Sequence, residues 1–184
     1  MNRSLIRILA ALALIGSLGG CASLSKSECM NANWQDIGIR DGANGRPEEY
    51  LIQHSTACAK VGVRPDREQW LRGRDQGLER FCQPHRVYEI GEGGGGFDAG
   101  ICRNFDEDRL VDAYDKGRDV NHRTNALNDI DNEMRDINAK LADKKSELDK
   151  KERDALVFRL GVLTVERVDA QRALDDARYR ARDL

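Results

Sequence analysis

The cysteine at position 21 is the residue whose surroundings most directly indicate a chemical reaction. It follows Leu18, Gly19 and Gly20, where about eleven mostly apolar residues give way to a polar chain. Two arginines and no acidic residue precede that apolar segment. The segment is too short to span a bilayer, which needs roughly twenty residues. The pattern predicts a lipobox, in which a signal peptidase cleaves after Gly20 and leaves Cys21 to carry acyl chains such as palmitate.

Acylation at Cys21 would anchor the chain to a membrane, because each buried methylene group contributes about 0.8 kcal/mol. Ala22 and Ser23 follow the cysteine, where an aspartate is the usual signal for retention in the inner membrane. We therefore expect an outer-membrane lipoprotein that faces the periplasm, with residues 1–20 removed as the signal peptide and residues 21–27 as a tether. An ordinary secretory peptide that ends by chance in cysteine is the alternative.

Four further cysteines remain after Cys21, and an even number in a small exported domain usually forms disulfides. Three pairings of these residues are possible. We favour the two local ones, because each would close one helix-loop unit. The favoured pairs join Cys29 with Cys58 and Cys82 with Cys102.

A zinc site is the alternative chemistry for two of these cysteines. His54 and Cys58 have one ligand-like spacing, and Cys82 and His85 have another. Such a site would leave Cys29 and Cys102 to pair with each other. Thiols of exported proteins are usually oxidised, so we expect disulfides, no metal and no cofactor.

A short repeat places an aromatic residue shortly before two glycines spaced four apart, with a weaker echo at Tyr114 and Gly117. Two glycines inside a helix each cost about 1 kcal/mol relative to alanine, so a compensating contact is expected. Close helix-helix approach is the favoured explanation, and a ligand-binding groove is the alternative. The repeated residues are Trp34, Gly38 and Gly42, and then Trp70, Gly73 and Gly77.

The small cysteine-bearing domain is predicted to cover residues 28–105 and to be mainly α-helical. Apolar spacing and capping residues indicate helices over about 27–42, 47–60 and 67–82. Val87, Tyr88 and Ile90 favour an extended segment, and the following glycines would let the chain turn back in a short irregular hairpin. No Lys-Ser or Lys-Thr follows the glycines, so a phosphate-binding loop is not expected.

The remainder, residues 106–184, is predicted to be helical almost throughout. Two apolar seams occur in it, one residue out of step with each other, and the segment Asp149–Glu152 between them has a capping-box pattern. These features favour a long antiparallel helical hairpin of the coiled-coil type over one continuous helix. The first seam contains Leu127, Ile130, Met134, Ile137, Leu141 and Leu148, and the second contains Leu156, Leu160, Leu163, Ala170, Leu174, Ala177 and Ala181.

A set of motifs resembles a known family of uncharacterised Gram-negative lipoproteins, classified only as a domain of unknown function. The set comprises the lipobox, Cys29 with Asn33-Trp34, Gly38-x-x-Asp41-Gly42, His54-x-x-x-Cys58, Trp70-x-x-Gly73-x-x-x-Gly77-Leu78 and Phe81-Cys82, and the glycines before Cys102. The resemblance covers roughly residues 28–120. It supports the compartment and the architecture, and it implies no catalytic residue because the family has no established activity.

Charge and motifs also limit the function. Without residues 1–20 the chain has 28 basic and 32 acidic residues, a formal charge of −4, which does not indicate nucleic acid as a partner. No pattern of a catalytic nucleophile or metallohydrolase occurs. We therefore expect a non-enzymatic structural or interaction component of the cell envelope that binds another envelope protein or peptidoglycan. The alternative is a periplasmic lipoprotein that binds a small ligand in the Trp/Gly groove.

Overall fold

The structure is a computed structural model that describes residues 23–143 and 147–184. The predicted signal peptide, residues 1–20, and Cys21 lie outside the described residues. The fold is mainly α-helical, as the sequence predicts, and it divides into two compact units. Unit 1 ends at Gly77 and unit 2 begins at Leu78, whereas the sequence predicts a division between residues 105 and 106.

Capping residues account for the helix starts in the first part of the chain. The single helix predicted over residues 27–42 is two helices, because the Asn33 side chain accepts a hydrogen bond from the backbone N–H of Asp36 and begins a new one. Asp66 caps a later helix by accepting from the backbone N–H of Gln69. The helices are α1 (Lys26–Met30), α2 (Trp34–Ala43), α3 (Tyr50–Ala59) and α4 (Arg67–Phe81).

The core of unit 1 surrounds a disulfide bond. Cys29 and Cys58 are joined in the favoured pairing, and both are almost fully buried. Apolar side chains from α2 and α4 and from the segment before α1 pack around them: Leu24, Trp34, Ile37 and Trp70. So small a core gains much of its stability from this covalent link.

Unit 2 contains a helix where the sequence predicts an extended segment and an irregular hairpin. Residues 84–92 are α-helical, and no β-strand occurs among the residues that the structure describes. Pro84 occupies the first turn, where its missing N–H is not needed. Val87 and Gly91, four apart on one face, are buried. The elements of this part are α5 (Pro84–Glu92), a 3₁₀ helix (Ala99–Cys102), α6 (Glu107–Ala142) and α7 (Lys150–Arg180).

The long helices α6 and α7 form the predicted antiparallel hairpin, and the alternative of one continuous helix is wrong. Asp149 and Glu152 make a reciprocal capping box at the start of α7. Ion pairs match early residues of α7 with late residues of α6, and the reverse: Arg159 with Glu133, Arg167 with Asp131, and Arg180 with Asp119. Ile137, Leu163, Leu174 and Ala177 of the predicted seams are buried.

The two units repeat one plan. In unit 2 a second disulfide joins Cys82 with Cys102, again as favoured from the sequence. Gly38 lies nine residues after Cys29, and Gly91 lies nine residues after Cys82; each is on the first helix of a crossing pair. Gly73 follows Cys58 by fifteen residues, and Gly117 follows Cys102 by fifteen. In each unit, therefore, a disulfide bond joins two cysteines. One helix of the crossing pair follows each cysteine, and the two helices cross at glycines.

We expect each disulfide to contribute substantially to stability. The bonds close loops with sequence separations of 29 and 20 residues. In the chain-entropy model the loss of either bond removes about 3 kcal/mol. Replacing Cys29 and Cys58 together by serine should lower the free energy of unfolding of unit 1 by that amount in urea titrations followed by tryptophan fluorescence. Both tryptophans lie in unit 1. A loss of under about 1 kcal/mol would contradict this account.

Candidate functional site

A buried polar cluster in unit 1, which we call the Asp41 network, is the most distinctive arrangement of titratable groups in the described chain. One carboxylate oxygen, Oδ2 of Asp41, lies 2.8 Å from His54 Nε2 and accepts a 2.8 Å hydrogen bond from Trp70 Nε1. The other ring nitrogen of His54, Nδ1, lies 2.8 Å from the Ser23 hydroxyl. The network therefore joins α2, α3 and α4 to the segment before α1.

The neutral tautomer of His54 with its proton on Nε2 fits the network. In that tautomer Nε2–H donates to Asp41, and the lone pair on Nδ1 accepts the hydroxyl proton of Ser23. His54 is 1% exposed and Asp41 is 6% exposed, so both groups depend on these partners in place of water. The Tyr50 ring packs edge-on against the imidazole, with 5.0 Å between ring centroids. The imidazole is therefore held on both nitrogens and on one face.

The segment just after Cys21 is tied to the core through this network. Ser23 binds His54, and Leu24 is buried at 3% exposure. Ser25 caps α1 in a capping box with Glu28. The hydrogen bonds from the Ser25 side chain and backbone lower the pKa of the Glu28 carboxyl. Residues 23–27 therefore have defined structure and contacts, where the sequence predicts a tether over residues 21–27.

The predicted Trp/Gly groove is filled by a helix crossing. A Cβ atom placed on Gly38 would come closer than 3.0 Å to the Trp70 carbonyl oxygen, and one on Gly73 would meet the Gln35 carbonyl oxygen in the same way. Gly42 faces the carbonyl of Arg74, and Gly77 faces that of Ile39. Trp34 and Trp70 are both buried. The six proposed groove residues therefore form a contact between α2 and α4 and leave no open groove between them.

The glycine contacts follow one reciprocal rule. Each glycine meets the carbonyl oxygen of the residue three positions before its partner glycine. In unit 2, Gly91 faces the carbonyl of Tyr114, and Gly117 faces the carbonyl of Tyr88. Backbones that approach so closely can form weak Cα–H···O contacts. The paired glycines are Gly38 with Gly73, Gly42 with Gly77, and Gly91 with Gly117.

The alternative zinc ligands are not assembled. Cys58 and Cys82 are each in a disulfide bond and provide no thiolate. Both ring nitrogens of His54 are engaged in the Asp41 network. The side chain of His85 is 79% exposed and lies 3.2 Å from Glu89 Oε1. Across residues 23–143 and 147–184, no group of three or more histidine, cysteine or carboxylate residues could hold a metal ion.

The helix α7 makes charged contacts with α6 and carries apolar side chains on its outer face. Arg159 donates two hydrogen bonds to the Glu133 carboxylate, at 2.8 and 2.9 Å, which lower the pKa of Glu133. Large apolar side chains of α7 remain exposed: Val157, Phe158, Val165, Val168 and Tyr179. Within residues 23–143 and 147–184, no helix has both the length and the apolar character needed to cross a bilayer.

A comparison with known families identifies the region that holds these features. Residues 33–119 match the family described as "Protein of unknown function (DUF2799)". The match covers 87 of the 184 residues. The matched region includes Asp41, His54, Trp70 and all six paired glycines, and the match confirms the resemblance to a family classified as a domain of unknown function. No curated protein and no solved structure matches the chain.

Several residues of the site were missed or misread from the sequence. Ser23 was not recognised as a partner of His54. Asp41 stands out in the sequence only as part of the Gly38-x-x-Asp41-Gly42 motif, which does not indicate its partners, His54 and Trp70. Arg74, one helical turn after Trp70, donates through Nε to the carbonyl of Arg46. The equal cysteine-to-glycine spacings in the two halves could have identified Gly91 as part of a crossing.

Proposed function

We propose that the protein is an outer-membrane lipoprotein, acylated at Cys21 and facing the periplasm, that acts without catalysis by binding another component of the envelope. The contact between Ser23 and His54 is the observation that carries this proposal. The described chain joins the core of unit 1 two residues after the expected acylation site. Two residues span at most about 7 Å, so an anchor at Cys21 would hold unit 1 directly at the membrane surface.

Two other observations support an exported, interacting protein. All four cysteines after Cys21 are paired in disulfides, and such bonds persist in oxidising compartments such as the periplasm. The outer face of α7 exposes several large apolar residues, and clustered exposed apolar residues are typical of interaction surfaces. The partner that we propose for the hairpin is an envelope protein or peptidoglycan.

The Asp41 network supports a structural role more than a catalytic one. A serine, a histidine and an aspartate are hydrogen-bonded in the order used by serine hydrolases. In those enzymes the carboxylate binds Nδ1 and the serine binds Nε2, whereas here Asp41 binds Nε2 and Ser23 binds Nδ1. The carboxylate oxygen is also shared with Trp70. We infer that these bonds hold the first residues of the mature chain on the core.

This inference predicts that Ser23 is chemically inert. We expect the full chain, treated with a fluorophosphonate probe, to show no labelling above that of a Ser23→Ala variant. The physical reason is that His54 is buried and cannot reach the leaving group of a substrate, and that its partner oxygen on Asp41 is shared with Trp70. Gel fluorescence and peptide mass spectrometry would measure the labelling. Modification of Ser23 that disappears in the alanine variant would instead indicate a hydrolase.

The small-ligand alternative has less support. It depended on a groove lined by Trp34 and Trp70, and the glycines of that groove face helix backbone. A ligand there would have to separate α2 from α4. Tryptophan fluorescence that shifts on addition of a small molecule, and fails to shift in Trp34→Phe or Trp70→Phe variants, would revive it.

Metabolic labelling with an alkyne palmitate tests the anchor. We expect the label on the full chain and sedimentation with outer-membrane vesicles in a density gradient. A Cys21→Ala variant should lose the label and move to the soluble fraction. Absence of label on the parent chain would overturn the lipoprotein assignment.

A photocrosslinking amino acid at Tyr179, an exposed residue near the end of α7, tests the interaction role. We expect it to capture a defined envelope component in intact cells. If no partner is crosslinked to the hairpin in cells that do acylate Cys21, the interaction role would be overturned, but the anchor would not. The two parts of the proposal therefore fail separately.

A further inference from the structure

Gly161, a glycine of the long hairpin, does not lie against a helix backbone as the six paired glycines do. Gly161 lies in the middle of α7, and an added Cβ atom there would meet nothing within 4 Å. An interior helix glycine costs about 1 kcal/mol relative to alanine. The six paired glycines offset this cost through a helix crossing, but Gly161 has no such contact within the described chain.

The residues around Gly161 repeat the motif of the paired crossings. An aromatic residue precedes glycine by three positions in Trp70–Gly73, Tyr88–Gly91 and Tyr114–Gly117, and Phe158 precedes Gly161 in the same way. On the α-helices that the structure describes, Phe158–Gly161 is the copy of this motif that lacks a partner. The motif predicts that a helix backbone approaches α7 at this point.

The motif is complementary to itself. In unit 2 the partners are two copies of it: Gly91 meets the carbonyl of Tyr114, and Gly117 meets the carbonyl of Tyr88. In unit 1 the second glycine pair, Gly42–Gly77, lies four residues after the first, Gly38–Gly73, on both helices. The two helices therefore run in the same direction where they cross. A parallel crossing of two identical helices places equal residues opposite each other, as a two-fold dimer requires.

The outer face of α7 suits such a homotypic contact. Phe158 is 75% exposed, Val165 64%, Val157 55% and Val168 43%. These residues, with Gly161 and Thr164, form a stripe at helical spacing that contains no charged residue. Two copies could therefore meet along this stripe without opposing like charges, and each would cover the other's apolar side chains.

We propose that the stripe is the interface of a homodimer, in which Gly161 of each copy packs against the Phe158 carbonyl of the other. The occupant of the stripe is a second copy of this chain, because two copies of the motif meet each other in unit 2. The dimer does not depend on acylation of Cys21. It goes beyond the proposed function, in which a different envelope component would bind outside this stripe.

Photocrosslinking of the full chain in intact cells tests this interface. A benzophenone amino acid at Val165 should give a covalent species of twice the chain mass, confirmed by mass spectrometry to contain only this protein. The same probe at Asp129, an exposed residue of α6, is the control and should give none. A Val165 adduct with a different protein, or no adduct at all, would overturn the proposal.

A Gly161→Leu variant tests whether the dimer requires close approach of the two helix backbones or only contact between apolar side chains. Leucine adds apolar surface but blocks the approach of a second backbone, so we expect the dimer adduct to fall at least about tenfold, as a loss of 1.4 kcal/mol in association would produce. An adduct that persists or increases would overturn the role of Gly161. Thermal unfolding followed by circular dichroism should show an unchanged or higher midpoint, which confirms that the variant folds.

Discussion

Replacement of Gly38 by leucine is expected to unfold unit 1 at ambient temperature. The new Cβ atom would lie closer than 3.0 Å to the Trp70 carbonyl oxygen and to the backbone of Arg74. These are backbone atoms, which cannot move aside as a flexible side chain can. Overpacking typically costs 1–3 kcal/mol, and separation of α2 from α4 would also expose buried core, so we expect a loss of about 4 kcal/mol or more.

Gly161→Leu is the matched control for this prediction. The same substitution places the side chain in open space on α7, and leucine has a better helix propensity than glycine by roughly 0.8 kcal/mol. We expect the control to unfold at the same temperature as the parent chain or slightly above it. Tryptophan fluorescence and far-ultraviolet circular dichroism would follow unit 1 and total helix content. Equal stability of the two variants would show that the close approach of α2 and α4 is wrong.

Local sequence patterns predicted most of the helical framework. The seams of the hairpin were recognised because apolar residues such as Ile137, Leu163 and Leu174 recur at helical spacing, and all three are buried. Asp149 and Glu152 marked the start of α7 through a reciprocal contact between residues three apart. The disulfide pairing followed from the same locality, because each bond closes one short loop.

The helix α5 could not be recognised from local propensity. Val87, Tyr88 and Ile90 are residues that favour strands, and a run of glycines follows them. Tertiary packing decides the outcome: Val87 is fully buried, and Gly91 meets the backbone of α6 at Tyr114. The contact lies more than twenty positions along the chain, so short windows of sequence do not contain it.

The Asp41 network was unpredictable for a related reason. Its hydrogen bonds join residues 13, 29 and 31 positions apart. A polar residue such as Asp41 has no sequence periodicity that distinguishes a buried partner from a solvated one. The glycine repeat predicted that two helices approach closely, but which carboxylate would be enclosed beside the crossing depends on the assembled core.

Replacement of Asp41 by alanine is the second substitution expected to have a large effect. It would leave the N–H groups of His54 and Trp70 buried without their acceptor. Each unsatisfied buried donor costs about 1–3 kcal/mol, so the free energy of unfolding of unit 1 should fall by about 4 kcal/mol. Urea unfolding followed by tryptophan fluorescence would measure the loss, and Trp70 itself reports on its surroundings.

An Asp41→Asn variant is the control that keeps the shape of the side chain. Its amide oxygen can occupy the position of Oδ2 and accept from both donors, although neutral hydrogen bonds are weaker than those to a carboxylate. We therefore expect the parent chain to be the most stable and D41A the least, with D41N losing less than half as much stability as D41A. If the free energy of unfolding of D41A lies within about 0.5 kcal/mol of that of the parent chain, the network does not stabilise unit 1, since surface substitutions alone produce changes of that size. The tie between residues 23–27 and the core would then have to rest on Leu24.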